Sequence, residues 1–250
     1  MNDQEDELLP PMPLTREQRR VLGVLIEKAF ATPESYPLTL NAAVAGGNQK
    51  SAREPVMDLT GDQVADALSE LKELGLVECI FPASGRTERW RHILKEAWGL
   101  DGRQRAVLAE LLLRGPQTEG DLRGRASRLQ ELTSLEDVNA VLASLAEEGF
   151  VRRLSPEHMK RGVVWTHLLF SDDELARVVE RHKGRAVDEA DNDDAAPTSG
   201  AAAPSPPSQR GGAVDRVNAL EAQVQDLRGR LADLSDAFDA LQAKVERMSG

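Results

Sequence analysis

Residues 59–94 read LTGDQVADALSELKELGLVECIFPASGRTERWRHIL, a helical stripe that stops at a glycine and runs into two β-rich stretches. Val64, Ala67, Leu68, Leu71 and Leu74 fall at steps of three and four, which places them on one side of a helix. Thr60 with Gln63 three residues on forms a capping box at its start, and Gly75 ends it. Residues 77–81 and 88–94 then read as two strands joined by the turn residues 82–87, a hairpin.

Much of this stretch occurs twice. Val64, Leu68, Leu71, Gly75 and Val77 return as Val138, Leu142, Leu145, Gly149 and Val151, and Trp90-Arg91-His92-Ile93-Leu94 returns as Trp165-Thr166-His167-Leu168-Leu169. Upstream, Leu14, Gln18, Arg19, Val21, Leu22 and Leu25 match Leu100, Gln104, Arg105, Val107, Leu108 and Leu111. The first match is offset by 86 positions and the third-helix match by 74, so the first copy carries 12 additional residues between them. They are assigned to the polar connection 48–56. Each copy predicts three helices followed by a hairpin, the winged-helix order. The fold expected is therefore mainly α with small β-hairpin wings (α+β), built as two tandem winged-helix domains at 14–96 and 97–183.

Appendages complete the organisation. Residues 1–13, acidic and then proline-rich, are expected to form a disordered tail. Ser171 and Glu174 open a closing helix over 172–183, and the Ala, Pro, Ser, Gly and acidic stretch 184–213 reads as a disordered linker. From Val217 to Met248 apolar residues alternate steps of three and four, the seam of a coiled-coil helix over 214–250 that predicts a homodimer.

Composition narrows the function. The net charge is −11, but residues 14–96 carry 11 basic against 12 acidic side chains and residues 97–183 carry 13 against 14, so the surplus lies in the tails. A general polyanion binder would need clustered Lys and Arg instead. The lone Cys79 and the absence of a basic-then-apolar leader point to the cytoplasm. No run approaches the roughly 18 apolar residues of a membrane span.

Catalytic constellations are missing: there is no phosphate loop, nucleophile elbow or zinc-protease helix. The expectation is a non-enzymatic protein with no cofactor and no metal. His92 and His167 sit at equivalent strand positions without partners at ligand spacing, so they read as core residues. Binding candidates come from free polar and basic groups: Gln49, Lys50, Ser51 and Arg53 in the connection, and Arg86, Arg89 and Arg91 on the first wing. The second copy adds Arg123, Arg125 and Arg128 by its second helix, and Lys160 and Arg161 on its wing. The third helices, which enter the major groove in winged-helix DNA binders, are acidic here: Asp62, Asp66, Glu70 and Glu73 in one, Glu136, Asp137, Glu147 and Glu148 in the other.

Residues 14–28 (LTREQRRVLGVLIEK), 36–41 (YPLTLN) and 48–56 (NQKSAREPV) resemble the YceH family of bacterial proteins, whose function is uncharacterised. The resemblance covers 14 to about 170 and implies a tandem winged-helix fold in a cytosolic bacterial protein. It supplies no site residues. Two functions follow as expectations. One is a DNA-associated regulatory protein contacting phosphates through wings and the 48–55 loop, favoured narrowly by the base rate for winged helices. The other is a protein-interaction adaptor, similar in architecture to the acidic winged-helix subunits of bacterial chromosome-organising complexes.

Overall fold

The computed structural model describes residues 8–81 and 87–190, with side chains described to residue 182. The linker beyond 190 and the heptad segment 217–248 lie outside the described residues.

Among the described residues eight α-helices and five short strands follow in the order α1 (Arg16–Ala31), α2 (Leu40–Gly47), α3 (Gly61–Glu73), β1 (Val77–Ile80), β2 (Arg89–His92), α4 (Leu94–Trp98), α5 (Gly102–Arg114), β3 (Gln117–Thr118), α6 (Glu119–Ala126), α7 (Leu135–Glu147), β4 (Val151–Arg153), β5 (Val164–His167) and α8 (Asp172–Ala190). The described residues are thus mainly helical with small antiparallel sheets, an α+β fold. No helix among them is long and apolar enough to cross a membrane.

The repeat is visible bond by bond. Val77 pairs with His92 and Cys79 with Trp90, just as Val151 pairs with His167 and Arg153 with Trp165. Ahead of the second helix, Leu38 bridges to Trp90 and Gln117 pairs with Trp165, so each tryptophan strand is flanked on both sides. Thr39 and Thr118, the next residues, cap α2 and α6 through their hydroxyls. This pairing has an offset of 79, which corrects the placement of the extra residues. Since 86 falls to 79 and then to 74, seven precede α2, around the 3-10 turn Pro33–Ser35, and five follow it.

Four capping boxes start α1, α3, α5 and α7 at Thr15, Thr60, Asp101 and Ser134. The Gln18 side chain accepts from Thr15 N–H at 2.7 Å and donates to Glu70 on α3 at 2.7 Å. Gln104 does likewise, accepting from Asp101 N–H and donating to Ser144 and Glu148 at 3.0 and 2.8 Å. One amide therefore closes the start of a first helix and fastens it to a third helix, in both copies. Gly75 and Gly149 end the third helices at φ +71° and +80°, a region that suits glycine.

The two copies share one interior. Buried residues of both form a single cluster, running from Leu22, Leu25 and Leu68 through Leu108 and Leu111 to Leu142 and Leu145. Its seam is the packing of α1 on α5. A Cβ on Gly23 would lie 2.9 Å from Leu113 Cγ and 3.2 Å from Leu112 Cβ, so the absent side chain lets these helices approach. Trp98 of α4 adds a second tie, its ring 5.0 Å from that of Phe150.

Three boundaries differ from the sequence reading. Residues 8–13 are docked rather than loose: Leu9 N–H donates to Ala97 at 2.8 Å and Leu14 N–H to Leu169 at 3.1 Å. Residues 39–44 read as a short helix ended by Gly46-Gly47, but helix α2 runs through both glycines, which are buried, and a Cβ on Gly46 would meet Val24 at 2.6 Å. Helix α8 extends to Ala190, beyond the expected end at 183.

Candidate interaction surfaces

The 48–57 connection is knitted to the body. Asn48 forms a two-way clasp with Leu59, its amide donating to the Leu59 carbonyl at 2.8 Å and its oxygen accepting from Leu59 N–H at 2.7 Å. Arg53 is 4% exposed and forks onto Glu27 at 2.6 and 3.1 Å while donating to the Gly46 carbonyl at 3.0 Å. Arg20, equally buried, holds the Gly47 and Pro55 carbonyls at 3.2 and 2.7 Å. Burial and the neighbouring Arg53 charge bring its guanidinium down to about 10. Glu54 N–H reaches the Leu113 carbonyl at 2.9 Å, joining the loop to the end of α5.

Arg53 is therefore a structural strut whose guanidinium is turned inward. A partner meeting this loop meets Lys50, Ser51, Glu54, Pro55 and Val56, all exposed, with Gln49 half-buried beside them. Val56 is 55% exposed on a loop fixed at both ends. Its only sequence signal was that it follows a proline in a polar stretch.

The remaining basic candidates separate into held and free. On β2, Arg89 donates to the Pro37 carbonyl at 2.9 Å, and Arg91 pairs with Glu78 across the strands. Arg86 lies outside the described residues. On α6, Arg125 is held by Asp121 at 3.2 Å and by Gln117. Arg123 and Arg128 are exposed, as are Lys160 and Arg161 between β4 and β5. The root of that second hairpin is fastened to the first turn of α6. Glu119 N–H donates to the Val163 carbonyl at 3.1 Å, and Trp165 Nε1 donates to the Glu119 carboxylate at 3.1 Å. Arg123, one helical turn beyond Glu119, is thereby on the side of α6 that faces the hairpin root. Arg153, which was not singled out from the sequence, gathers the carbonyls of Ser155, Pro156 and Met159 and so shapes the loop carrying Lys160 and Arg161.

The third helices turn their acidic residues outward. Asp62, Asp66, Glu70 and Glu73 are exposed on α3 beside Lys72, and Glu136 and Glu147 are exposed on α7 with Glu148 at its end and no basic residue. Asp137 is occupied locally, its carboxylate accepting from Ser134 N–H at 3.0 Å and Thr133 N–H at 3.1 Å, which holds it below the usual carboxylate range.

His92 and His167 are buried, at 9% and 2% exposure. His92 lies 6.1 Å from the Tyr36 ring and His167 stacks on Phe170 at 3.9 Å. Burial drives both toward the neutral form, His92 to about 4 and His167 to about 3. Among the described residues no group of three or more His, Cys, Asp or Glu could hold a metal ion.

Fold and surfaces together define a mainly helical α+β protein whose one module, present twice, shares a single core and presents both third helices acid-side out. The chain matches a family described as "Protein of unknown function, DUF480" over residues 14–159, and it belongs to that family, also designated UPF0502 and corresponding to the YceH resemblance. A UPF0502 protein of Xanthomonas campestris pv. campestris (strain B100) is 41% identical over 240 residues, covering 96% of this chain and 97% of its own. One from Rhodopirellula baltica is 41% identical over 182 residues, covering 73% and 76%. One from Koribacter versatilis is 48% identical over 134 residues, covering 54% and 62%. The Xanthomonas match takes in sequence well beyond residue 159.

Proposed function

We propose that this chain is a non-enzymatic adaptor of the bacterial cytoplasm. Its two modules are winged helices, and the acidic faces of α3 and α7 receive a basic protein surface. The observation that carries this is the outward direction of Asp62, Asp66, Glu73, Glu136 and Glu147 on equivalent helices held to one core. In the usual winged-helix pose these carboxylates would stand against phosphates, an unfavourable approach in a desolvating groove. Complementary charge on a protein partner instead steers association and sets register. The heptads at 217–248 would pair two copies in parallel and double the number of such faces.

Affinity purification of the full chain with and without nuclease tests this reading, alongside a variant carrying Asp62→Lys, Asp66→Lys, Glu136→Lys and Glu147→Lys. The expected result is a protein companion that survives nuclease and is lost from the variant. Companions released by nuclease from the native chain would overturn it.

A second reading rests on a separate observation: Arg123, Arg128, Lys160 and Arg161 are exposed with no acidic partner among the described residues. These are the groups with which a DNA-associated regulator would touch phosphates, with Lys50 joining from the loop. Binding to duplex DNA that weakens steeply with salt, and weakens further on Arg123→Ala with Lys160→Ala, supports it. Salt-insensitive or absent binding rejects it.

A further inference from the structure

The proline-rich start of the chain is the strongest unassigned feature. Leu8 and Leu9 are 54% and 36% exposed, yet each meets a glycine on the body. Leu8 Cδ1 stands 2.9 Å from where a Cβ on Gly99 would be, and Leu9 Cδ1 stands 3.4 Å from that of Gly75. Pro11 Cγ stands 3.6 Å from that of Gly149. Gly75 and Gly149 are the equivalent glycines that end the third helices, one in each copy. A single short segment therefore touches the same notch in both halves, by a leucine on one side and a proline on the other.

Its chemistry suits a strap. Pro10, Pro11 and Pro13 have no N–H, so the segment crosses the surface with few donors left to satisfy, and proline restricts it to extended conformations before it docks. Both ends are pinned by backbone bonds, Leu9 N–H to Ala97 in the first half and Leu14 N–H to Leu169 in the second. Arg19 secures the second pin. Its guanidinium donates to the Leu14 carbonyl, to the Leu169 carbonyl at 3.2 Å and to Glu174 on α8 at 2.9 Å, and lies 4.6 Å from the centre of the Phe170 ring. Strap, second hairpin and α8 thus meet at one side chain of α1.

We infer that residues 8–13 are an intramolecular strap that couples the C-terminal ends of α3 and α7, so that loosening it at either copy loosens both. The half-exposed leucines make the strap weaker than the core beneath it, and it opens without unfolding α1. This coupling is independent of whether the partner is protein or DNA.

Amide hydrogen exchange on the full chain tests it with two variants. Leu8→Ser with Leu9→Ser removes the side chains that meet Gly99 and Gly75, and Pro11→Ser removes the ring that meets Gly149. Leu8 and Leu9 are exposed and Pro11 is half-buried, and residues 20–26 of α1 report whether the core stays closed. The expected result is that each variant speeds exchange several-fold in both windows, 72–77 and 146–151, with 20–26 unchanged. Exchange that quickens only in the window each variant touches, or in neither, would overturn the strap. Should 20–26 quicken along with the windows, the segment is part of the core and the strap is likewise overturned.

Discussion

Arg53 shows how a residue's surroundings override its type. Lys50 and Arg53 are three positions apart in a polar run, and nothing in their spacing distinguishes them. One is exposed, and the other sits at 4% exposure with its fork on Glu27. Removing one partner of a buried ion pair strands the other, at a cost of about 3–5 kcal/mol. Arg53→Ala is therefore expected to lower the thermal unfolding midpoint by many degrees while Lys50→Glu leaves it unchanged, and a calorimetric scan of the two variants checks the contrast.

Titration gives a second prediction at this scale. His92 and His167 are held neutral down to about 4 and about 3, well below the ordinary 6.5 of a histidine. The unfolded chain takes up protons as the pH falls through 6.5 and the folded chain does not, so stability is full above that value and declines toward pH 4. Glu174 acts lower: the hydrogen bonds from Arg19 hold it near 2, so its contribution is present above the ordinary 4.5 and fades as the pH falls to about 2. Melting midpoints across this range should fall steadily with acid, and His92→Gln with His167→Gln should flatten the upper part. An unchanged slope in that variant would remove the histidines as its cause.

Among the elements, the helices and hairpins were legible because caps and periods are local. Thr60 with Gln63, Ser134 with Asp137, and the glycines after each third helix announce their roles within four residues. The equal pairing of Trp90 and Trp165 followed from the repeat. What escaped notice depends on distant partners. Strand β3 is two residues long and exists only because β5 lies beside it. Helix α4 is five residues long and ends on Gly99 in a left-handed turn. Nothing in the sequence around Gly23 marks it out within α1, and only the position of Leu112 and Leu113 shows why a side chain is excluded there. Gly23→Leu would force α1 from α5 and is expected to cost about 1–3 kcal/mol, the usual penalty for overpacking. Denaturant unfolding measures it, and a neutral result would mean the seam is more yielding than its distances indicate.

At the scale of the molecule, the sequence announces a repeated order of elements and reads as two domains at 14–96 and 97–183, whereas buried residues of both halves form one core. Each copy has its own helical stripe, so the pattern reads equally well as two separate bodies. The seam is made from the opposite sides of α1 and α5, whose burial is nearly complete from Gln18 to Ile26 and from Ala106 to Leu113. Helices buried all round carry less amphipathic signal than helices with one wet face, which is why the joint was hard to see. This seam holds the acidic faces of α3 and α7 on a single body, which the proposed shared partner requires.

Native-state hydrogen exchange in rising denaturant measures that fusion directly, by comparing the opening free energies of core amides at Leu68 and Leu71 in α3 with those at Leu142 and Leu145 in α7. Convergence of both sets on one global value, lowered equally by Gly23→Leu, is the expected result. Two distinct values, with α7 opening while α3 stays protected or the reverse, would contradict it.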